Sequence, residues 1–390
     1  MSYKSLFSRA LASDPQRLHF AAHSHHLWPD ASFEGHVQAW AEAAHFADRK
    51  WDVIFADVIP EAQGHIAREL NLPDTSGLVF APNTHDFLVR IFSSVERRPI
   101  RVLSTDGEFH SFRRQAERWA ETGHIVLERV PVAPVASLGE RLVERASSGA
   151  FDVVLVSQVF FRSGLVLDGL EALAALSQPE GPMVVIDGYH GFMASPTDLS
   201  GVADRVFYMS GGYKYAMAGE GAAFLHAPAG FGPCPEVTGW FAEFGNLQGP
   251  PGGVGHLADG GRFWGATFDA TGLYRFNAVR RMLDEQGLDT ARISAHAHTL
   301  MGQFQSAVRE GRAGALDRAE LINPLDAGQG SVRARFLAFR HADAQGWKAA
   351  LMDANVITDV RDDVIRFGFG LYQDEDDVAR LIEACARIIR

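Results

Sequence analysis

The run Ser210-Gly211-Gly212-Tyr213-Lys214-Tyr215 places an amine in a glycine-rich loop directly after the apolar segment Arg205–Met209. A lysine carried past the carboxyl end of a buried strand loses hydration. That lowers its pKa and favours the neutral amine needed to attack a carbonyl. The glycines let the backbone pass close to a bulky ligand. Upstream, the apolar segment Met183–Asp187 ends in a carboxylate and continues Gly188-Tyr189-His190. A carboxylate at a strand end can keep the pyridine nitrogen of pyridoxal 5'-phosphate (PLP) protonated, so that the ring works as an electron sink. Taken singly, Lys214 reads as a surface lysine in a turn and Asp187 as a helix cap. Together, in this order, they point to PLP held as a Schiff base on Lys214. Asp187 would partner the ring nitrogen, and His190 would orient Asp187 or touch the ring face or its phenolic oxygen.

A phosphate needs a seat, and Asn83-Thr84-His85 supplies one. These residues open a helix expected to run to about Phe92. Unsatisfied N–H groups and the helix dipole favour an anion at such an N-terminus. A plain N-cap at Asn83 or Thr84 is equally compatible.

The elements that must position these residues alternate. Strand patterns over Arg101–Ser104, Ile125–Val130, Asp152–Ser157, Met183–Asp187 and Arg205–Met209 are interleaved with helical patterns over Ser111–Glu121, Ser137–Ala146 and Leu167–Leu176. Continuous β-branched runs such as Asp152–Ser157 are expected of strands buried on both faces. The fold class is therefore α/β, a mostly parallel sheet sandwiched by helices, and ligands of such sheets bind beyond the strands' carboxyl ends. After about Phe268 the texture becomes α+β. Helices are expected over Gly272–Gln286, Ile293–Glu310, Ala342–Ala354 and Asp374–Ile389, and strands over Val332–Phe339 and Val364–Phe369. Gln248–Gly261, rich in Gly and Pro, reads as a long loop. The expected division is an N-terminal arm (1–20) packing with the small domain, a large cofactor-binding domain (21–270) and a small C-terminal domain (271–390).

On these motifs the chain resembles the fold-type I PLP enzymes of the class V aminotransferase group, and within them kynureninases most. In those enzymes an Asp-x-x-His strand end and a Tyr-Lys-Tyr loop occur in this order. The resemblance implies the PLP-transferase fold and phosphate binding by Thr84 and His85. It also implies that Tyr213 contacts the phosphate and relays a proton. From the segment Glu108-Phe109-His110-Ser111 it implies a ring-stacking residue, Phe109, with His110 as the alternative. The segment Gln158–Gly164 resembles one ending in Arg/Lys-Ser/Thr-Gly, which leaves Arg162 structural, close to the site or neither. Trp240, in Gly239-Trp240-Phe241, resembles a Gly-Trp segment reaching the cofactor or substrate, with core or interface packing as the plainer reading. Thr267, in Phe263–Thr267, resembles a Gly-Thr loop that crosses a dimer interface to the neighbour's phosphate, with Trp264 beside it. The resemblance thus implies a homodimer with shared active sites.

Near the C-terminus, Arg366 in Val360–Phe369 matches an arginine that grips the substrate α-carboxylate. A planar guanidinium does this through two parallel hydrogen bonds. The alternative is an internal salt bridge to Asp362 or Asp363. The implied reaction is kynureninase-like: hydrolytic Cβ–Cγ cleavage of an amino acid, releasing alanine and an aromatic acid. An aminotransferase or a PLP-dependent β-lyase uses the same cofactor and stays open. A departure lies at His23-Ser24-His25-His26-Leu27, where kynureninases carry Gly-Asn-Ser-Leu-Gly. His25 and His26 are expected to face the substrate. No metal is expected, because no second ligand cluster accompanies them.

Composition narrows the partners. The chain has 390 residues, 47% of them apolar, and a formal net charge of −12. A chain this acidic repels phosphate backbones and acidic membranes, so neither nucleic acid nor membrane is expected as a partner. Its two cysteines, Cys234 and Cys385, are too few for a disulfide framework. The N-terminal segment lacks the apolar core of a signal peptide, and a cytoplasmic location is expected.

Overall fold

The computed structural model describes residues 2–232, 234–244, 253–326 and 333–390. Its centre is a seven-stranded sheet. Across the sheet the strands run Leu78–Ala81, Ala223–His226, Val206–Ser210, Met183–Asp187, Val153–Ser157, Ile100–Thr105 and Ile125–Val130. The last five of these pair in parallel. Ala223–His226 is antiparallel to both of its neighbours. All strands but that one therefore end at the same edge. Strand Val153–Ser157 is buried along its whole length, as its unbroken apolar sequence requires when helices cover both faces.

Several elements match the sequence pattern closely. The helix Thr84–Ser93 starts where expected, because the Asn83 side chain accepts a hydrogen bond from the Asp86 backbone N–H at 3.1 Å. The helix expected over Leu167–Leu176 is shorter, Leu170–Ala174, and begins only after Gly169 at φ 80°. The part of the predicted loop at 248–252, and Val332 of the predicted strand, lie outside the described residues. From 253 to 259 the chain is irregular, as expected, before the short 3-10 helix Gly260–Phe263.

A second sheet of four antiparallel strands follows in the order Asp359–Arg361, Val364–Gly368, Phe336–Arg340, Glu320–Leu321. Helices Thr290–Arg309, Ala344–Asp353 and Glu375–Ile388 share one apolar cluster with it. The helix Thr271–Glu285, expected to open the C-terminal unit, packs elsewhere. Its Leu273, Phe276, Val279 and Leu283 join the larger cluster around the main sheet. The reason is a close helix crossing: Gly35, in helix Asp30–Phe46, lies so near Tyr274 that a Cβ there would sit 2.6 Å from the Tyr274 carbonyl oxygen. The N-terminal arm divides likewise. Leu18 and Phe20 join the smaller cluster, and Leu18–His19 pairs in parallel with Val356–Ile357. Phe7 joins the larger one. Lys4 ties the arm to the start of the last helix through Asp374 and Asp377, at 2.8 and 2.9 Å. Among the described residues, no helix is long and apolar enough to cross a membrane.

Candidate active site

Five strand ends feed one cavity of about 310 Å³. Thr84 and His85 follow the strand ending at Ala81, Phe109 follows Thr105, and Phe161 follows Ser157. Asp187 closes its own strand and is followed by Tyr189 and His190, while Tyr213 and Lys214 follow Ser210. The parallel register makes this convergence unavoidable, since it aligns Ser157 with Asp187 and Asp187 with Met209 across neighbouring strands. A larger groove of about 790 Å³, lined by Arg68, Arg280 and Arg292, shares none of these residues.

Lys214 is 4% exposed. Burial lowers its amine to about 7, helped by the charges of Arg366 and Arg361 and opposed by Asp187. Its Nζ lies 3.0 and 3.2 Å from the two ring nitrogens of His190. It also sits over the rings of Tyr189 (4.7 Å), Phe109 (5.3 Å) and Tyr213 (5.6 Å). His190 is buried, and desolvation with the nearby Lys214 and Arg366 charges keeps it neutral. It thus contacts the lysine, whereas the Asp187 carboxylate is held by the Tyr189 backbone N–H at 2.9 Å. Desolvation pushes the Asp187 carboxyl up from its ordinary value, so the group gains from a cationic partner.

The glycines of the lysine loop are closed in by the protein's own chain. A Cβ on Gly211 would come 2.3 Å from the Tyr189 hydroxyl, and one on Gly212 would come 2.7 Å from the Gly219 carbonyl oxygen. They let the loop close on the protein's own chain.

A carboxyl that sequence reasoning passed over lies next to Asp187. Glu108 is buried and accepts hydrogen bonds from the Thr105 and Ser157 hydroxyls, each at 2.5 Å. Burial lifts it to about 7 against those two bonds. Tyr189, Phe161 and Ser157 were also missed. The strand-end rule would have found them, because each is at or within a few residues of a carboxyl terminus in the parallel sheet.

The remaining expected residues lie off the cavity wall. Arg366 is 2% exposed, in the strand that faces Asp359–Arg361. It is paired with Asp359 and donates to the Phe161 carbonyl. Asp362 and Asp363, the alternative partners expected from sequence, are held instead by Arg162, at 3.6 and 2.7 Å. They sit at the tip of the hairpin, beyond Arg366's reach. The guanidinium of Arg366 lies 5.9 Å from the Phe161 ring, and that ring faces the cavity. Trp240 donates its indole N–H to the Thr267 hydroxyl at 3.1 Å, and neither residue lines the cavity. Trp264, expected at an interface, packs inside the larger cluster against Phe80 and Phe268.

The three N-terminal histidines have separate surroundings. His25 is exposed and stacks on Tyr213 (5.0 Å, 21°), 3.8 Å from Glu220 at the cavity mouth. His26 is buried against Phe7 and Tyr372, bonds the Leu27 carbonyl at 2.7 Å, and is not part of the cavity wall. His23 is wholly buried and stacks on Phe336. Among the described residues, no group of three or more His, Cys, Asp or Glu is placed to hold a metal.

The cavity suits a flat, anionic carbonyl compound. It offers a largely desolvated amine, a carboxyl in need of a cation, an aromatic side chain near the amine, and a helix N-terminus at Thr84. Comparisons with known proteins bear on the fold. Residues 293–385 match the family model of the kynureninase C-terminal domain. A probable cysteine desulfurase of Vibrio cholerae serotype O1 is 24% identical over 359 residues, covering 84% of this chain and 82% of that protein. A solved mutant of C-DES, with glycine covalently linked to its PLP cofactor, superposes with a TM-score of 0.83 at 16% identity, covering both chains fully. The complex of the cystine C-S lyase C-DES with cysteine persulfide gives 0.76 at 17% identity, over 98% of this chain and 99% of that one. The chain has the fold-type I architecture of these proteins, a mostly parallel sheet between helices.

Proposed function

We propose that the protein is a PLP-dependent enzyme that breaks a bond at the β-carbon of an amino acid, by kynureninase-like hydrolysis of Cβ–Cγ. The observation carrying this reading is the buried Lys214 amine, its pKa drawn down to about 7, in one cavity with Asp187 and the Thr84 helix N-terminus. Lys214 would hold the cofactor covalently, Asp187 its ring nitrogen, Phe109 its face, and Thr84, His85 and Tyr213 its phosphate. When bound, PLP supplies an electron sink for charge developing at Cα. The protein's own groups do the rest. Lys214, poised near neutrality, moves protons at Cα. His190, touching Lys214 and held neutral, can accept one of them. Arg366 supplies the positive charge for the α-carboxylate, and Phe161 and Tyr189 line the cavity. The aromatic lining suits an aryl side chain on the substrate.

Two further observations bear on relatives of this chemistry. A desulfurase needs a thiolate beside the site. Cys385 is buried in the last helix, where desolvation raises its thiol. Cys234 follows Gly232, whose Cβ position lies 3.1 Å from Met183 Sδ. Met183 opens the strand that Asp187 closes, so Cys234 is near the opposite edge of the sheet. Both cysteines of the chain are therefore unsuited to take up sulfur at Lys214. β-Elimination of a C–S bond needs no protein thiol, and the likeness to a cystine C-S lyase favours it as the second reading.

The deciding experiment offers the PLP-loaded protein L-kynurenine and L-cystine separately. Anthranilate and alanine in equal amounts support the hydrolase. Pyruvate and ammonia from cystine support the lyase. Keto-acid formation that depends on an added amino acceptor, with pyridoxamine phosphate appearing, would replace both with an aminotransferase.

A further inference from the structure

Two hydroxyls grip one buried carboxyl beside the cavity. Glu108 is 3% exposed, and its two oxygens receive the Thr105 and Ser157 hydroxyls, one on each. Thr105 ends one parallel strand and Ser157 ends its neighbour, so Glu108 ties two strand ends together. Ser157 stands opposite Asp187 in the ladder with the following strand, and both line the cavity. Glu108 itself does not line it. Its effect on a bound molecule therefore passes through Ser157 or through its own charge.

A hydroxyl has one hydrogen, and where the Ser157 hydrogen goes depends on Glu108. When Glu108 is ionised it accepts from Ser157, and the serine oxygen can then only accept on its cavity side. When Glu108 is protonated, its own hydrogen goes to one of the two hydroxyl oxygens. Thr105 Oγ1 already accepts from the Gly107 N–H at 3.1 Å, so that hydrogen falls on the Ser157 side. The Ser157 hydrogen is released, and the residue becomes a donor towards the cavity. Burial, and after it the Asp187 charge, lifts Glu108 to about 7 against the two hydroxyl bonds, so both states are within reach near neutrality. Lys214 in turn acts on Asp187. On the segment that carries Glu108, Asp106 and His110 bond elsewhere, to the Val132 N–H and to Arg113.

We infer that Glu108 is a positioning residue: through Ser157 it switches the group beside Asp187 between hydrogen-bond acceptor and donor, and so sets how strongly the cavity favours a protonated pyridine nitrogen. This rests on the PLP reading above and deepens it. Asp187 gives the ring N–H its charged partner. An ionised Glu108 leaves Ser157 as a second acceptor on the same side. A protonated Glu108 turns a hydroxyl donor towards that side instead, which opposes the ring N–H.

The test measures equilibrium binding of PLP and of deaza-PLP, which has C–H in place of the ring nitrogen, to the cofactor-free protein between about pH 6 and pH 8. The ratio of the two affinities reads the ring nitrogen and needs no turnover. Protonation of Lys214 affects both compounds alike and cancels. In the parent the preference for PLP should rise about three- to tenfold as pH passes 7, the worth of one hydrogen bond. Glu108→Gln keeps a bond to each hydroxyl and cannot ionise, so the step should vanish. Ser157→Ala leaves the Glu108 charge and removes the relay, and the step should vanish there too. A flat ratio in the parent, or a step that persists in Glu108→Gln, overturns the role. A step lost in Glu108→Gln but kept in Ser157→Ala shows the charge acting directly and overturns the relay. A parent protein that takes up no PLP overturns the functional reading itself, and this inference with it.

Discussion

Arg366 and Asp359 stand directly opposite each other in an antiparallel ladder and are joined as an ion pair. The arginine expected to grip the substrate therefore already holds a carboxylate, and Arg361 shares it. The pairing keeps a nearly inaccessible guanidinium charged; burial draws it down only to about 10. Removing one member of such a pair strands the other, at a typical cost of about 3–5 kcal/mol. Arg366→Ala should thus lower stability and abolish amino-acid binding, while PLP uptake survives. Arg366→Lys keeps the charge but not the forked geometry, and should bind amino acids at least about tenfold more weakly. Absorbance titration with L-alanine, run beside a melting curve, checks both. Normal alanine affinity in Arg366→Lys would reduce the residue to a strut for Asp359.

Lys214 should be the point of covalent attachment. Borohydride treatment of the loaded protein, followed by peptide mass mapping, should place the label on Lys214, and Lys214→Ala should carry none. A label on another lysine would end the reading. Attachment needs the free amine, whose pKa is about 7. The initial rate of PLP uptake should rise about tenfold per pH unit below 7 and level off above it.

The same lysine should weaken the cofactor-free protein in a pH-dependent way. Its pKa is lowered from 10.5 to about 7 by burial, so between those values the unfolded chain binds the proton and the folded one does not. Stability gains with rising pH across that window, and the full cost of burial is present below about pH 7. Lys214→Met should therefore stabilise the apoprotein by about 1–3 kcal/mol at pH 6. The advantage should fade towards pH 10. Denaturant midpoints at both pH values would show it; a constant difference would mean that packing, not charge, is responsible.

Asp187→Ala should weaken PLP binding by about 1.5–3 kcal/mol, the worth of a hydrogen bond to a charged group, and cut turnover by several orders of magnitude. Asn at the same position should restore part of the binding and little of the turnover, because an amide cannot hold a protonated ring nitrogen. Equilibrium dialysis of PLP and a rate assay separate the two effects. Near-normal turnover in Asp187→Ala would leave the residue only its local role of receiving the Tyr189 N–H.

A homodimer is expected, and one helix face suits it. Phe33, Val37 and Trp40 lie at helical spacing in Asp30–Phe46 and are 47%, 43% and 73% exposed. Exposed apolar stripes of this kind mark association surfaces. Light scattering should give twice the chain mass, and Trp40→Glu should shift the population towards monomer. A parent protein that is monomeric at assay concentration and fully active would remove any shared role for Trp240 and Thr267.

The amino-acid sequence by itself determined the local chemistry. Unbroken apolar runs declared the parallel strands, and strand ends declared where Asp187 and Lys214 would stand. Asn83 fixed the start of a helix, since capping is a local hydrogen bond. These features depend on residues a few positions apart, and periodicity reads them directly. What only the tertiary structure decided was which groups meet. The choice of Asp359 over Asp362 or Asp363 for Arg366 follows from ladder register. The placement of His23, rather than His25 or His26, beside that pair follows from a chain crossing at Gly368. The turning of Gly211 towards Tyr189 follows from loop packing. The His23 contact joins segments hundreds of residues apart, and no local pattern in the chain encodes it.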